Sequence, residues 1–104
     1  MRFHSINIRD IVSESVMNGG IIVDVRDKER FYKKHIPMAV NVPLEEISRG
    51  HINLPKNRTL ILYCDTGGAS AIAAKLLVEK GYRVINTVGG LAEYKGSLSA
   101  GGKR

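Results

Sequence analysis

Three stretches of this chain are apolar and β-branched with little polar alternation: IIVDV at 21–25, TLILYC at 59–64 and YRVINTV at 82–88. Each is too short for a buried helix, so each reads as a strand covered on both faces. Strands of that kind belong to parallel sheets, where a crossover helix joins one strand to the next and covers a face. Segments with helical spacing lie where such crossovers are needed. The expected fold is therefore α/β, a central and mostly parallel sheet with helices on both faces.

HSINI at 4–8 and AVNVP at 39–43 read as shorter strands. Helices are expected over 10–17, where Ile11, Val12 and Val16 keep helical spacing before Asn18-Gly19-Gly20, and over 27–34, ahead of Pro37. Two more are expected over 44–49 and 70–80. The helix at 70–80 carries Ile72, Ala73, Leu76 and Leu77 as its apolar stripe and turns Lys75, Glu79 and Lys80 to water. Gly81 follows as a natural left-handed terminator. A last helix is expected within GGLAEYKGSL at 89–98.

At 104 residues the chain has room for one core, placed at 1–98, with a short basic, Gly-rich tail at 99–104. Its formal net charge of +6 is spread over the length rather than blocked. That suits anionic substrates, whereas nucleic acid is not expected as a partner, because no reader motif or interleaved aromatics accompany the charge. One cysteine excludes an internal disulfide and a multi-cysteine metal site. No metal or cofactor is expected. No apolar run approaches the length that spans a membrane, and Arg2, Arg9 and Asp10 leave no secretory signal, so the expectation is a cytoplasmic protein with no membrane partner.

That one cysteine, Cys64, ends the second core strand in LILYCDTGGAS at 60–70, one loop before the best helix. Ligands of open α/β sheets bind beyond the carboxyl ends of strands. Gly67 and Gly68 let successive N–H groups turn inward as an anion-binding nest, and the following helix adds its own unpaired N–H groups and partial positive charge. Sulfur placed there is favoured as the thiolate. A lone cysteine at a strand end also reads as plain core packing. From the residues alone both readings stand.

In order along the chain, VDVRDKERFYKKHIPMAVNVP at 23–43, LILYCDTGGASAIAAKLLVEKGY at 60–82 and VGGLAEY at 88–94 resemble a single-domain rhodanese. The marks are an Asp-x-Arg after a core strand, a His-Ile-Pro-x-Ala-x-Asn segment, a cysteine loop and a late Gly-Gly turn. The resemblance implies a doubly wound sulfurtransferase in which Cys64 is the nucleophile and cycles between thiolate and persulfide. Asp65, Thr66, Gly67, Gly68 and Ala69 would complete the cradle, with Ser70 opening the helix, and Asp24 and Arg26 would support it. The donor would be a small sulfur anion, thiosulfate or another persulfide. The acceptor would be an external thiol or protein, since the chain has no second cysteine. The alternative is a rhodanese-like binding or sulfur-sensing module without turnover.

Arg30 stands where two-domain relatives bind their anionic substrate, and is the candidate cation against the plain reading of an exposed helix arginine. Many members carry arginine at the position of Ala69, and some a basic residue at that of Asp65. Here the loop has no side-chain cation, and Asp65 sets a carboxylate against the nest. Lys34 and Met38 replace glycines common beside the His-Ile-Pro segment, and Tyr94 a frequent tryptophan. Ser70 and Ala71 stand where related phosphatases keep an arginine, and phosphoryl transfer is not expected without that clamp. His35 is not needed as a base, because a thiolate in a nest is already the nucleophile.

Overall fold

The computed structural model describes residues 3–102; Arg2 and the Lys103-Arg104 end of the expected tail lie outside them. The chain runs β1 (His4–Asn7), a 3-10 turn (Ile8–Asp10), α1 (Ile11–Asn18), β2 (Ile21–Asp24) and α2 (Lys28–Lys33). It continues through β3 (Val40–Asn41), α3 (Leu44–Ser48), β4 (Leu60–Tyr63), α4 (Gly68–Glu79), β5 (Val84–Val88) and a second 3-10 turn (Leu91–Glu93). The strands form one sheet in the order β1-β5-β4-β2-β3, every neighbouring pair parallel. The three apolar runs of the sequence are its three central strands.

β4 lies in the middle with all four residues buried, and its alternation shows why both faces need cover. Leu60 and Leu62 pack with Val23, Val84 and the α3 and α4 residues Ile47, Ala73, Ala74 and Leu77. Ile61 and Tyr63 point the other way and pack with Ile8, Ile11, Ile22, Ile85 and Leu91. The chain leaves β2 toward β3 on one side and leaves β4 toward β5 on the other. Between these neighbours the winding direction reverses, so their carboxyl-terminal loops part and open a crevice. Asp24 and Tyr63 face each other at its floor as register partners.

Several details differ from the sequence reading. α4 begins at Gly68 rather than Ser70, because Gly67 precedes it at φ +107° as the N-terminal cap. Its buried residues are Ser70, Ala73, Ala74 and Leu77, the i, i+3, i+4, i+7 set. Small side chains at three of those positions let the helix close on the sheet and leave Ile72 on the flank, 55% exposed. Val16 in α1 is likewise turned outward. The helix expected within 89–98 is only the second 3-10 turn: Gly90 at φ +64°, ψ 176° and an extended Tyr94 bracket it, and neither conformation continues a helix. AVNVP contributes two residues of strand, Val40 and Asn41. Beyond residue 98 the chain lies along α2, where Ser99 exchanges both backbone hydrogen bonds with His35 (2.9 and 2.8 Å).

Candidate active site

β4 carries Cys64 to the carboxyl edge of the sheet, where the N–H of Leu91 fixes its carbonyl oxygen at 2.9 Å. The chain then turns sharply through Gly67, and the left-handed conformation there aims N–H groups back at the sulfur. Cys64 Sγ accepts from the Gly67 N–H at 3.0 Å and from the Ser70 N–H at 3.3 Å. The Ser70 hydroxyl donates to the Gly67 carbonyl at 3.3 Å and closes the loop on itself. The sulfur thus sits against the N-terminus of the 12-residue α4, where free N–H groups and the helix dipole favour negative charge. Cys64 is 3% exposed. Thr66 and Gly68 are exposed above it, and Ala69 packs partly buried against the core.

A second wall comes from the Gly89-Gly90 turn. A Cβ on Gly90 would lie 2.1 Å from the Asp65 carbonyl oxygen, so the turn runs backbone to backbone against the loop. This is why that turn needs glycine, a reason no sequence periodicity reveals.

The loop after β2 faces the cradle. Arg26 is buried and doubly bound to Asp24, with Nη2–Oδ2 at 2.7 Å and Nε–Oδ1 at 3.0 Å, and its Nη2 also donates to the Lys34 carbonyl at 2.6 Å. Burial works against its charge, but the hydrogen bonds and charge of Asp24 outweigh that and keep the guanidinium more firmly protonated than usual. Asp24 is wholly buried. Beneath them, burial and then the Asp24 charge push the Tyr63 phenol well above its ordinary range, while its oxygen accepts the Ile36 N–H at 3.0 Å. The sequence reading found Asp24 and Arg26 but missed Asn41, whose amide donates to the carbonyls of Asp24 (3.0 Å) and Arg26 (2.9 Å). The signal was present: Asn41 closes the His-Ile-Pro-x-Ala-x-Asn segment.

Asp65 does not turn its carboxylate on the sulfur nest. Oδ1 meets Nη1 of Arg26 at 3.2 Å, and Oδ2 lies 3.6 Å from Nε of the exposed Arg30, which also pairs with Asp27. His35 sits apart from this cluster, buried, its Nδ1 2.8 Å from the Phe31 carbonyl and its ring stacked on Phe31 at 3.9 Å. Two surface hollows, about 400 Å³ beside α1 and about 730 Å³ between α2 and β3, share Met38 and Val40 and are not lined by the cysteine loop. Among the described residues, no group of three or more His, Cys, Asp or Glu side chains could hold a metal ion, and no helix is long and apolar enough to cross a membrane.

A family model described as Rhodanese-like domain matches residues 9–97. A tRNA sulfurtransferase of Desulfurococcus amylolyticus is 34% identical over 85 residues, which make up 82% of this chain but 17% of that protein. Thiosulfate sulfurtransferase PspE of Escherichia coli is 37% identical over 73 residues, 68% of this chain and 70% of that one. The crystal structure of a rhodanese-like domain protein from Staphylococcus aureus superposes with a TM-score of 0.81 at 25% identity, covering 96% of this chain and all of that one.

Proposed function

The chain belongs to the family of rhodanese-like domains, and we propose that it is a sulfurtransferase working through a Cys64 persulfide. The carrying observation is the pair of N–H groups from Gly67 and Ser70 on Cys64 Sγ at the start of α4. Sulfurtransferases among its relatives support the same reading.

In the first half-reaction the Cys64 thiolate attacks the sulfane sulfur of thiosulfate or of a persulfide donor. A bond forms from Sγ to that sulfur as the donor's S–S bond breaks, and the electron pair departs with sulfite or the donor thiolate. The two N–H groups hold the negative Sγ of the thiolate, and once the charge moves to the outer sulfur of the persulfide the helix terminus continues to favour it. In the second half-reaction a thiophilic acceptor attacks the outer sulfur, and the electron pair returns to Cys64. That acceptor comes from outside, a small thiol or a protein, because Cys64 is the chain's one cysteine. Arg30 is the exposed cation that an anionic donor meets at the rim. A lone thiol that must stay reduced suits a reducing compartment, and we assign the protein to the cytoplasm.

Intact mass of the reduced protein after incubation with thiosulfate or methanethiosulfonate tests this. Wild type should gain one sulfur atom, cyanide should remove it as thiocyanate, and Cys64→Ser should gain nothing. The near-complete burial of Cys64 favours one other reading, a binding or sulfur-sensing module without turnover. No mass gain from either donor, with Cys64 still open to alkylation, would select that module.

A further inference from the structure

The carboxylate of Asp65 belongs to the residue next to the reacting cysteine, and it occupies both arginines of the facing loop. Arg26 has no free charge to offer a ligand: Asp24 holds it at 2.7 Å and its side chain is 5% exposed. Arg30 is open to solvent but divided between Asp65, 3.6 Å from its Nε, and Asp27, 3.3 Å from its Nη1. The connected cluster sets three carboxylates, Asp24, Asp27 and Asp65, against two guanidiniums, one net negative charge beside the cradle. Residues 65–70 add no cation. On the other wall, Glu93 Oε1 lies 3.0 Å from where a Cβ on Gly89 would stand.

Building on the sulfur-transfer reading, we propose that Asp65 sets donor specificity. By latching Arg30 and leaving the rim net negative, it makes Cys64 discriminate against dianionic thiosulfate in favour of monoanionic sulfane-sulfur donors, organic persulfides and thiosulfonates. Thiosulfate carries two negative charges next to the sulfur it transfers, so its approach requires Arg30 to leave Asp65. A monoanionic donor meets less repulsion and needs no such rearrangement. The bond changes are the same for both classes: Sγ gains the sulfane sulfur, and the electron pair of the broken S–S bond leaves with sulfite from thiosulfate or with methanesulfinate from methanethiosulfonate.

Those two donors differ by one charge. The test is the second-order rate of Cys64 persulfide formation with each, read by intact mass in the wild type, Asp65→Asn and Asp65→Asn/Arg30→Gln. Removing one unit charge beside a partly exposed site should shift the ratio of the two rates toward thiosulfate by roughly tenfold. Adding Arg30→Gln should take most of that shift back. A ratio unchanged by Asp65→Asn overturns the proposal. Should that variant fold poorly, salt gives a test on the wild type alone. Screening relieves repulsion of the dianion, so the ratio should move toward thiosulfate as ionic strength rises, and movement the other way overturns the proposal. Loading by both donors with an immovable ratio removes the role of Asp65 alone, whereas loading by neither removes the sulfur-transfer reading and this inference with it.

Discussion

A methyl group on Gly90 would stand 2.1 Å from the Asp65 carbonyl oxygen and 2.5 Å from the Cα of Thr66, both backbone atoms that cannot swing away. Gly90 also holds φ +64° with ψ 176°, a conformation strained for any side chain. Gly90→Ala should therefore cost about 2 kcal/mol or more in urea unfolding, and the surviving folded protein should load sulfur more slowly, because the loop it displaces carries the N–H groups on Cys64. The neighbouring Gly68 is a control of the opposite kind: a Cβ there would meet nothing within 4 Å. Pair contacts account for what the residues alone left unread. Asp65 beside Cys64 looked like a charge set against the nest. The structure turns it onto Arg26 and Arg30 instead, partners 39 and 35 positions earlier in the chain that no local pattern connects to it. Met38 shows the reverse. Met38 is the one non-glycine among the described residues with positive φ, 71°, a left-handed turn that no glycine at that position announces in the sequence.

The elements separate by how strongly their own residues determine them. β2, β4 and β5 are legible because β-branched and aliphatic runs can be satisfied only between two covering layers. The five-residue reading of β3 and the closing helix near 90 failed for a common reason: both segments are fixed by contacts with other loops. Asn41 clamps the backbone after β2, and the Leu91 N–H is committed to Cys64. α4 was legible as a helix and in part of its facing, with Ala73 and Leu77 buried and Lys75, Glu79 and Lys80 exposed, but Ser70 and Ala74 stand in the buried stripe where Ile72 and Leu76 were expected. Its energetics follow from that facing. Leu77→Ala opens a cavity at a wholly buried position and should cost about 2–5 kcal/mol in urea or thermal unfolding. Ile72→Ala removes a side chain that is 55% exposed and should stay within about 0.5 kcal/mol of wild type. Equal losses would mean that α4 is rotated about its axis relative to this packing.

Across the whole molecule, one buried polar axis joins the halves that the sheet winds apart. Tyr63 at the end of β4, Asp24 at the end of β2 and Arg26 beyond it share charge and hydrogen bonds under the crevice, and Tyr63 also receives the Ile36 N–H from the segment leading to β3. The cradle can stay in register with the facing loop because this axis ties β4 to β2 at the edge where their connections part. The axis also makes stability depend on alkaline pH. Burial and the Asp24 carboxylate raise the Tyr63 pKa above the ordinary phenol value of 10.0. In the unfolded chain the phenol ionises near that value, while the folded protein holds its proton. The contribution of Tyr63 is therefore complete below about pH 10 and declines as pH rises above it, at up to ~1.4 kcal/mol per pH unit. Urea unfolding between pH 9 and 12 should show that decline. Tyr63→Phe should start lower at neutral pH by about 1 kcal/mol for the lost Ile36 hydrogen bond, yet fall less steeply above pH 10. Parallel declines in the two proteins would mean that the Tyr63 phenol ionises freely within the fold and that the axis places no bar on its charge.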